Sequence, residues 1–329
     1  YTDTTLTPGA YTGAQINAAI VTRGNGANAA NHNRLIARNC TITLTGEEGI
    51  SLVGRSFFTL ALAGSAIALH TAGGGNASSG FFLVDTHNTT IRGGTVTGQN
   101  SDTGNANGYL QVDEQISAAH VRARCTNIEF DGVTWDSLRG FGVWLSTDSG
   151  GATEWPEGVW MHDCSTRGGW LGFAIVAGRR VLIEDSLFTD TMGTGLDLEP
   201  DLVGHGYEDV LVQRNTYRRF AWEAVIGGHT SWLVAANANT AIGAAALAAV
   251  PGLRLTFRDN LIPEGHVIAG QGGLLIRMNK ANPKTDTVIT GNVSSTARTV
   301  AGGCVFGNAL NNLTLTGNTQ VTSGGVNLY

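Results

Sequence analysis

Along the second half of the chain one short pattern recurs: an apolar residue, a spacer, an apolar residue, two further residues, then a small side chain and more strand-like sequence. Val159-Trp160-Met161 leads to Cys164, Val181-Leu182-Ile183 to Ser186, Val210-Leu211-Val212 to Asn215, Leu255-Thr256-Phe257 to Asn260, Thr287-Val288-Ile289 to Asn292 and Leu313-Thr314-Leu315 to Asn318. Alternation with period two marks a strand with one buried face. The small polar positions lie 22, 29, 45, 32 and 26 residues apart. Such spacings suit a solenoid whose coils each hold three short strands, with the variation absorbed in outward loops. Asn at a stacked turn can donate its amide to a neighbouring coil and tolerates left-handed backbone, so Asn215, Asn260, Asn292 and Asn318 are expected to form one axial column. Residues 36–39, 89–91 and 128–130 read as degenerate earlier coils.

A second column has the same order: Gly142-Val143-Trp144-Leu145, Gly172-Phe173-Ala174-Ile175, Gly195-Leu196-Asp197-Leu198, Glu223-Ala224-Val225-Ile226, Gly273-Leu274-Leu275-Ile276 and Gly303-Cys304-Val305-Phe306. Alternation sends Val143 and Leu145, Phe173 and Ile175, Leu196 and Leu198, Ala224 and Ile226, Leu274 and Ile276, and Cys304 and Phe306 inward. Facing outward are then Trp144, Ser146 and Asp148; Ala174, Val176 and Gly178; Asp197, Glu199 and Asp201; Val225, Gly227 and His229; and Leu275, Arg277 and Asn279. Near the start, Ile16 and Ile20 stand at helical spacing and predict a short helix capping the first coil, within a cap region spanning 1–30. Residues 231–251, with an Ala-rich piece, read as a long insertion or an irregular coil. The expected fold class is all-β, a single domain over 1–329.

Composition supports this. The chain has 46 glycines and only 14% charged residues, a balance favouring turns and strands over long helices. A net charge of −6, with Lys280 and Lys284 the only lysines, leaves no basic stripe for a phosphate backbone, so nucleic acid is not expected as a partner. No apolar run reaches the ~18 residues a membrane-spanning helix needs. The sequence begins at Tyr1 without a Met or a signal pattern, as a processed chain would. Cys40, Cys125, Cys164 and Cys304 show no metal-binding spacing and read as buried thiols or one incidental disulfide.

The two ladders, the Asn column and the helix before the first coil resemble the pectate-lyase-like superfamily of right-handed parallel β-helices. The resemblance covers nearly the whole chain and implies a carbohydrate polymer as substrate class, since that superfamily includes polysaccharide lyases, glycoside hydrolases, uronan epimerases and phage tailspikes. It specifies architecture rather than chemistry. Gly204-His205-Gly206 is similar to the Gly-His-Gly element of the polygalacturonase branch, but it follows the acids and lacks that branch's Asn-Thr-Asp, Asp-Asp and Arg-Ile-Lys companions. No catalytic role is given to it.

The candidate chemistry lies in Leu196-Asp197-Leu198-Glu199-Pro200-Asp201. If the strand continues past Pro200, three carboxyl groups project from one face, where crowding raises at least one pKa and separates an acid from a base. Ala174, Gly178 and Gly227 leave room beside them. The expectation is a glycoside hydrolase acting on an extracellular or cell-surface polysaccharide. Asp197 and Glu199 would be the acid/base or nucleophile pair, with Asp201 or Asp148 as modulator, Trp144 stacking on a sugar, and His229 and Arg277 as substrate contacts. No cofactor is expected. The alternatives are a lyase or epimerase on a uronic-acid polymer, with Ca²⁺ held by the acids, or a non-catalytic adhesin or tailspike module using the same groove. His162, Asp163, Glu184 and Asp185 follow the first ladder and belong to another face. A secreted or virion-surface location and a homotrimer are the accompanying expectations.

Overall fold

The computed structural model describes residues 2–45, 49–69, 79–98, 117–147, 154–191, 193–198, 205–220, 225–227, 252–264, 276–278, 284–294, 305–307, 310–311, 314–322 and 325–328. Short strands wind coil upon coil into a right-handed parallel β-helix with three long sheets of 13, 12 and 9 strands. The complete coils from Asn33 to Met278 each contribute one strand to each sheet in turn. In the sixth complete coil, for example, Ala177–Glu184 lies in the first sheet, Leu187–Thr189 in the second and Thr194–Leu198 in the third.

A column of left-handed residues turns the chain from the first sheet to the second. Strands of these two sheets are joined by Gly132-Val133, Asp163-Cys164, Asp185-Ser186, Arg214-Asn215, Asp259-Asn260, Gly291-Asn292 and Gly317-Asn318. The first member of every pair has positive φ, from 49° at Asp185 to 66° at Gly291. For a residue with a Cβ that conformation costs about 1–2 kcal/mol, which Gly avoids and Asp or Asn tolerates. Arg214 has neither advantage. Its guanidinium is instead held by Asp185 at 2.9 and 2.7 Å and by Glu184 at 2.5 Å on the preceding coil.

The second member of each pair points into the solenoid, and here the expected Asn column forms. Asn260 Oδ1 accepts the Asn215 backbone N–H at 2.9 Å and the Asn215 side-chain amide at 3.1 Å. Asn292 Oδ1 does the same for Asn260, at 2.9 and 3.0 Å, and Asn318 Oδ1 for Asn292, at 3.1 and 2.8 Å. Each Nδ2 also donates to a backbone carbonyl of the preceding coil: Ile183, Val212, Phe257 and Ile289 in turn. All four side chains are buried, so these bonds satisfy groups that water cannot reach. Toward the N-terminus the column changes to Ser186, whose Oγ accepts from Cys164 N at 3.1 Å, and to Ser65, which serves Cys40 N at 2.9 Å.

Inside, the alternating apolar residues stack into one continuous core. Val181, Ile183, Val210, Val212, Leu255 and Phe257 come from the first sheet; Trp135, Phe188, Tyr217 and Ile262 from the second; Val143, Leu145, Phe173, Ile175, Leu196 and Leu198 from the third. Phe188 and Tyr217 stack at 4.9 Å. Cys40, Cys125 and Cys164 are buried free thiols; Cys304 lies outside the described residues. The helix Gly13–Arg23 covers the first coil with Ile16 and Ile20 fully buried, and Thr12 and Gln15 close a capping box at its start. At the other end Gly325–Leu328 pairs antiparallel with Thr319–Thr322, the one antiparallel strand pair among the described residues. No helix among the described residues is long and apolar enough to cross a membrane. Residues 231–251 lie outside the described residues.

The first ladder has the register expected of it: Leu182, Leu211, Thr256, Val288 and Thr314 pair in succession. The second holds through Trp144, Ala174 and Asp197, then departs. Leu196 pairs with Val225 and Asp197 with Ile226, one residue out from the expected alignment. Beyond it Ile226 pairs with Arg277, and Arg277 with Phe306. From Val225 onward the backbone register of this ladder is therefore one residue out from the expected alignment. A one-residue slip exchanges the two faces of a strand, and in these coils the strands follow long connections that do not constrain the count.

Removing a column side chain should be felt at the turn. Asn292→Ala leaves the Asn260 backbone N–H without its acceptor and should cost about 1–3 kcal/mol in urea unfolding. Asn292→Ser restores an acceptor, as Ser186 does naturally, and should cost clearly less. Equal losses for both variants would contradict the role given to the column.

Candidate functional site

The turns between the first and second sheets hardly vary in length, whereas the connections at the two edges of the third sheet do. Leu145 to Glu157, Leu198 to Gly206 and Gly227 to Gly252 leave this sheet, and Thr97 to Ser117 and Glu264 to Ile276 enter it; all are much longer than a two-residue turn. In a solenoid, chain length inserted at both edges of one sheet brings variable segments to that face, where binding groups are generally carried.

The third sheet's outer column runs Phe82, His120, Trp144, Ala174 and Asp197, and the backbone register continues from Asp197 through Ile226, Arg277 and Phe306. Several of these positions are buried although they face away from the core: His120 is 4% exposed, Ala174 3% and Asp197 6%. A carboxylate is seldom so buried without a functional or structural reason. Asp197 sits at the centre of Thr194–Leu198, whose inward neighbours Leu196 and Leu198 are fully buried and fix its direction.

Two coils toward the N-terminus the column turns aromatic. The His120 imidazole stacks on Trp144 with ring centroids 4.2 Å apart and 11° between planes, and Phe82 meets it edge-on at 5.7 Å. Its Nε2 shares a 2.7 Å hydrogen bond with Ser146 Oγ. Burial, helped by the Arg122 charge, pushes the His120 pKa down to about 3, so the ring is neutral at ordinary pH. His120, stacked on Trp144 and tied to Ser146, is placed to hold the indole. The indole is half-buried, with one face taken by His120.

Of the residues singled out in the sequence, the structure puts Asp197 and Trp144 in one outer column, and the backbone register continues from Asp197 to Arg277. Glu199, Asp201, Asp148 and His229 lie outside the described residues. His120 and Ser146 were missed as a pair; the signal was His120 in Ser117–Val121, an outward position in a coil whose ladder was too degenerate to align by eye.

The first sheet carries a second polar cluster. Thr90 Oγ1 donates to Glu129 Oε2 at 2.7 Å, and Glu129 Oε1 lies 3.2 Å from His162 Nε2. Asp163 Oδ2 is 2.9 Å from His162 Nδ1, and Arg92 holds Asp131 at 2.5 Å. Burial opposes a charged His162, but Asp163, Glu129 and Asp131 outweigh it and raise its pKa. Trp160 Nε1 donates to Glu184 Oε1 at 3.0 Å, while Gln213 and Arg214 take Glu184 Oε2 at 2.6 and 2.5 Å. Glu129, Asp131 and His162 offer ligand atoms within 4.8 Å of one another, a mixed nitrogen and oxygen set of the donor type that borderline divalent ions such as Zn²⁺ take. Most other acids act as staples between coils: Asp85, Asp185 and Asp209 are held below the usual carboxylate range by Arg124, Arg214 and Arg254. They are ionised pairs and poor proton donors.

No family model matches the chain, and no curated protein does. Among solved structures it is similar to a lacto-N-biosidase from Eubacterium ramulus, at 11% identity over 96% of this chain and 68% of that one, with a TM-score of 0.47. An alginate lyase from Paenibacillus sp. str. FPU-7 aligns at 14% identity over 93% of this chain and 99% of its own, with a TM-score of 0.47. The Streptococcus pneumoniae surface protein and adhesin PfbA aligns at 11% identity over 97% of this chain and 91% of its own, with a TM-score of 0.44. Function has to come from this chain's own side chains.

The buried imidazole makes stability depend on pH. Below the ordinary His value of about 6.5 the unfolded chain binds a proton that folded His120 refuses until about pH 3, so stability falls as pH falls through that window. This group contributes at most about 1.4 kcal/mol per pH unit. His120→Gln should flatten the acid limb of a urea-midpoint curve measured between neutrality and about pH 4. An unchanged slope would contradict the assignment.

Proposed function

We propose that the protein is a glycoside hydrolase that cleaves a polysaccharide along the outer face of the third sheet. The observation that carries this reading is a buried carboxylate, Asp197, in the same column as a fixed aromatic ring, Trp144, on the sheet whose two edges carry the long connections. An aromatic plane takes the apolar face of a sugar, and a carboxyl shielded from water is suited to proton transfer.

Asp197 acts with Glu199 as the catalytic pair, one protonating the glycosidic oxygen and the other activating water or attacking the anomeric carbon. Asp201 and Asp148 modulate the pair. Alternate residues of a strand stand about 6.5–7 Å apart at Cα, a backbone spacing that does not choose between the ~5 Å carboxyl separation of retaining enzymes and the ~6.5–9.5 Å of inverting ones. Ala174, next to Asp197 on the preceding coil, gives the ligand space. Arg277, two coils beyond Asp197 in the same register, is the substrate contact on that side, and His229 is retained as a second. A lyase or epimerase would instead gather cations around a uronate, and the chain has only two lysines, Lys280 and Lys284.

Three measurements test the reading. New reducing ends without unsaturated-uronate absorbance, from a panel of extracellular polysaccharides, select hydrolysis, and activity should persist in a chelator. Unsaturated product or Ca²⁺-reversible loss would select the lyase, and binding without turnover the adhesin. Asp197→Asn should lower turnover at least about 10²-fold with little change in stability, whereas Leu198→Ala, which empties core volume, should cost about 2–5 kcal/mol. Near-normal turnover in Asp197→Asn would remove the site from this face.

A further inference from the structure

On the first sheet, away from the column holding Asp197, Trp160 is the most exposed of the described tryptophans at 39%, while Trp135 is fully buried and Trp155 is 7% exposed. Leaving an indole in water forgoes the stabilisation that its burial would bring. Nor is this ring free to move. Its Nε1 donates to Glu184 at 3.0 Å, its plane lies against His162 with centroids 4.0 Å apart and 29° between planes, and its strand Glu157–His162 is paired on both sides. A ligand stacking on it would have little side-chain entropy to remove.

The groups around the indole suit hydroxyls. Glu129 and Glu184 each present two oxygens; an oxygen with a single partner keeps a second lone pair, whereas Glu184 Oε2 is already taken by both Gln213 and Arg214. Glu129 takes one hydrogen bond on each oxygen, from Thr90 and His162, and Glu184 Oε1 takes one from Trp160. Both carboxylates are fixed by these bonds and keep acceptor capacity toward the indole edge. Beyond them Gln213 is held by Arg258 at 2.8 and 2.6 Å, continuing the polar row along the solenoid axis. The carboxylates on the row outnumber the cations: Arg92 pairs Asp131, Arg214 pairs both Glu184 and Asp185, and His162 stands among Glu129, Asp131 and Asp163. An anionic sugar approaching Trp160 would meet Glu129 and Glu184 first and be repelled.

We infer that Trp160, with Glu129, His162 and Glu184 around it, is a binding site for a neutral pyranose ring, separate from the third-sheet groove. The indole takes the C–H face of the ring, and the two carboxylates accept its equatorial hydroxyls. A polymer engaged here and in the groove gains avidity without any new contact at the reacting bond.

The inference does not depend on the activity proposed above, and the test keeps them apart. The indole N–H resonance of Trp160, identified by its absence in Trp160→Phe, would be followed while oligosaccharides of laminarin, galactomannan, xylan and alginate are added to the whole chain. A saturable shift with at least one neutral oligosaccharide, repeated unchanged in Asp197→Asn, is expected. In Glu129→Ala half-saturation should need at least about threefold more of the same oligosaccharide, through loss of a hydrogen bond to a charged acceptor. A Trp160 resonance that no neutral oligosaccharide moves, or that only alginate moves, overturns the inference whether or not the enzyme hydrolyses glycans. If Asp197→Asn keeps full turnover while the Trp160 shift stands, the inference survives and the third-sheet assignment does not.

Discussion

The rest of the structure depends on a two-residue turn between the first and second sheets that repeats in seven coils, from Gly132-Val133 to Gly317-Asn318. One residue adopts left-handed backbone and the next points inward, and the inward residue joins its turn to the one above. A shared column of this kind keeps coils in register because a slipped coil would leave buried N–H groups without acceptors. With the register held, apolar residues stack on apolar residues for the whole length of the core, and the outer columns acquire fixed membership.

The consequence for function is a division of labour between faces. Turns kept short by the Asn and Ser column leave no room for insertion between the first and second sheets, so length varies at the edges of the third. Arginine–carboxylate pairs staple adjacent coils: Arg124 with Asp85, Arg214 with Asp185, Arg254 with Asp209 and Arg219 with Asp190. Each exposed pair contributes little on its own. Asp197, 6% exposed, is on the outer face of the third sheet.

The first ladder and the Asn column were legible in the sequence because their spacing is carried by residues with one physical role each. Asn215, Asn260, Asn292 and Asn318 repeat the same hydrogen bonds, and the apolar pairs before them repeat the same burial. The placement of Asp197 opposite Ala174 was legible for a similar reason, since Leu196 and Leu198 bracket it as Phe173 and Ile175 bracket Ala174. Legibility failed after Asp197, where Val225 and Ile226 are both β-branched and apolar and either parity fits the pattern. It failed also at His120, whose coil lacks an Asn to anchor the count, and on the first sheet, where Glu129, Trp160 and Glu184 were seen one strand at a time. Their convergence is a property of neighbouring coils, which are 33 and 24 residues apart for Glu129–His162 and Trp160–Glu184.

The central claim, that substrate lies along the outer column of the third sheet, is tested most directly by a crystal structure of the Asp197→Asn variant with an oligosaccharide that the wild type cleaves. The account predicts a sugar ring beside Trp144 and a glycosidic oxygen within hydrogen-bond distance of residue 197. A saccharide bound only on the first or second sheet, with the third-sheet column empty, would contradict it.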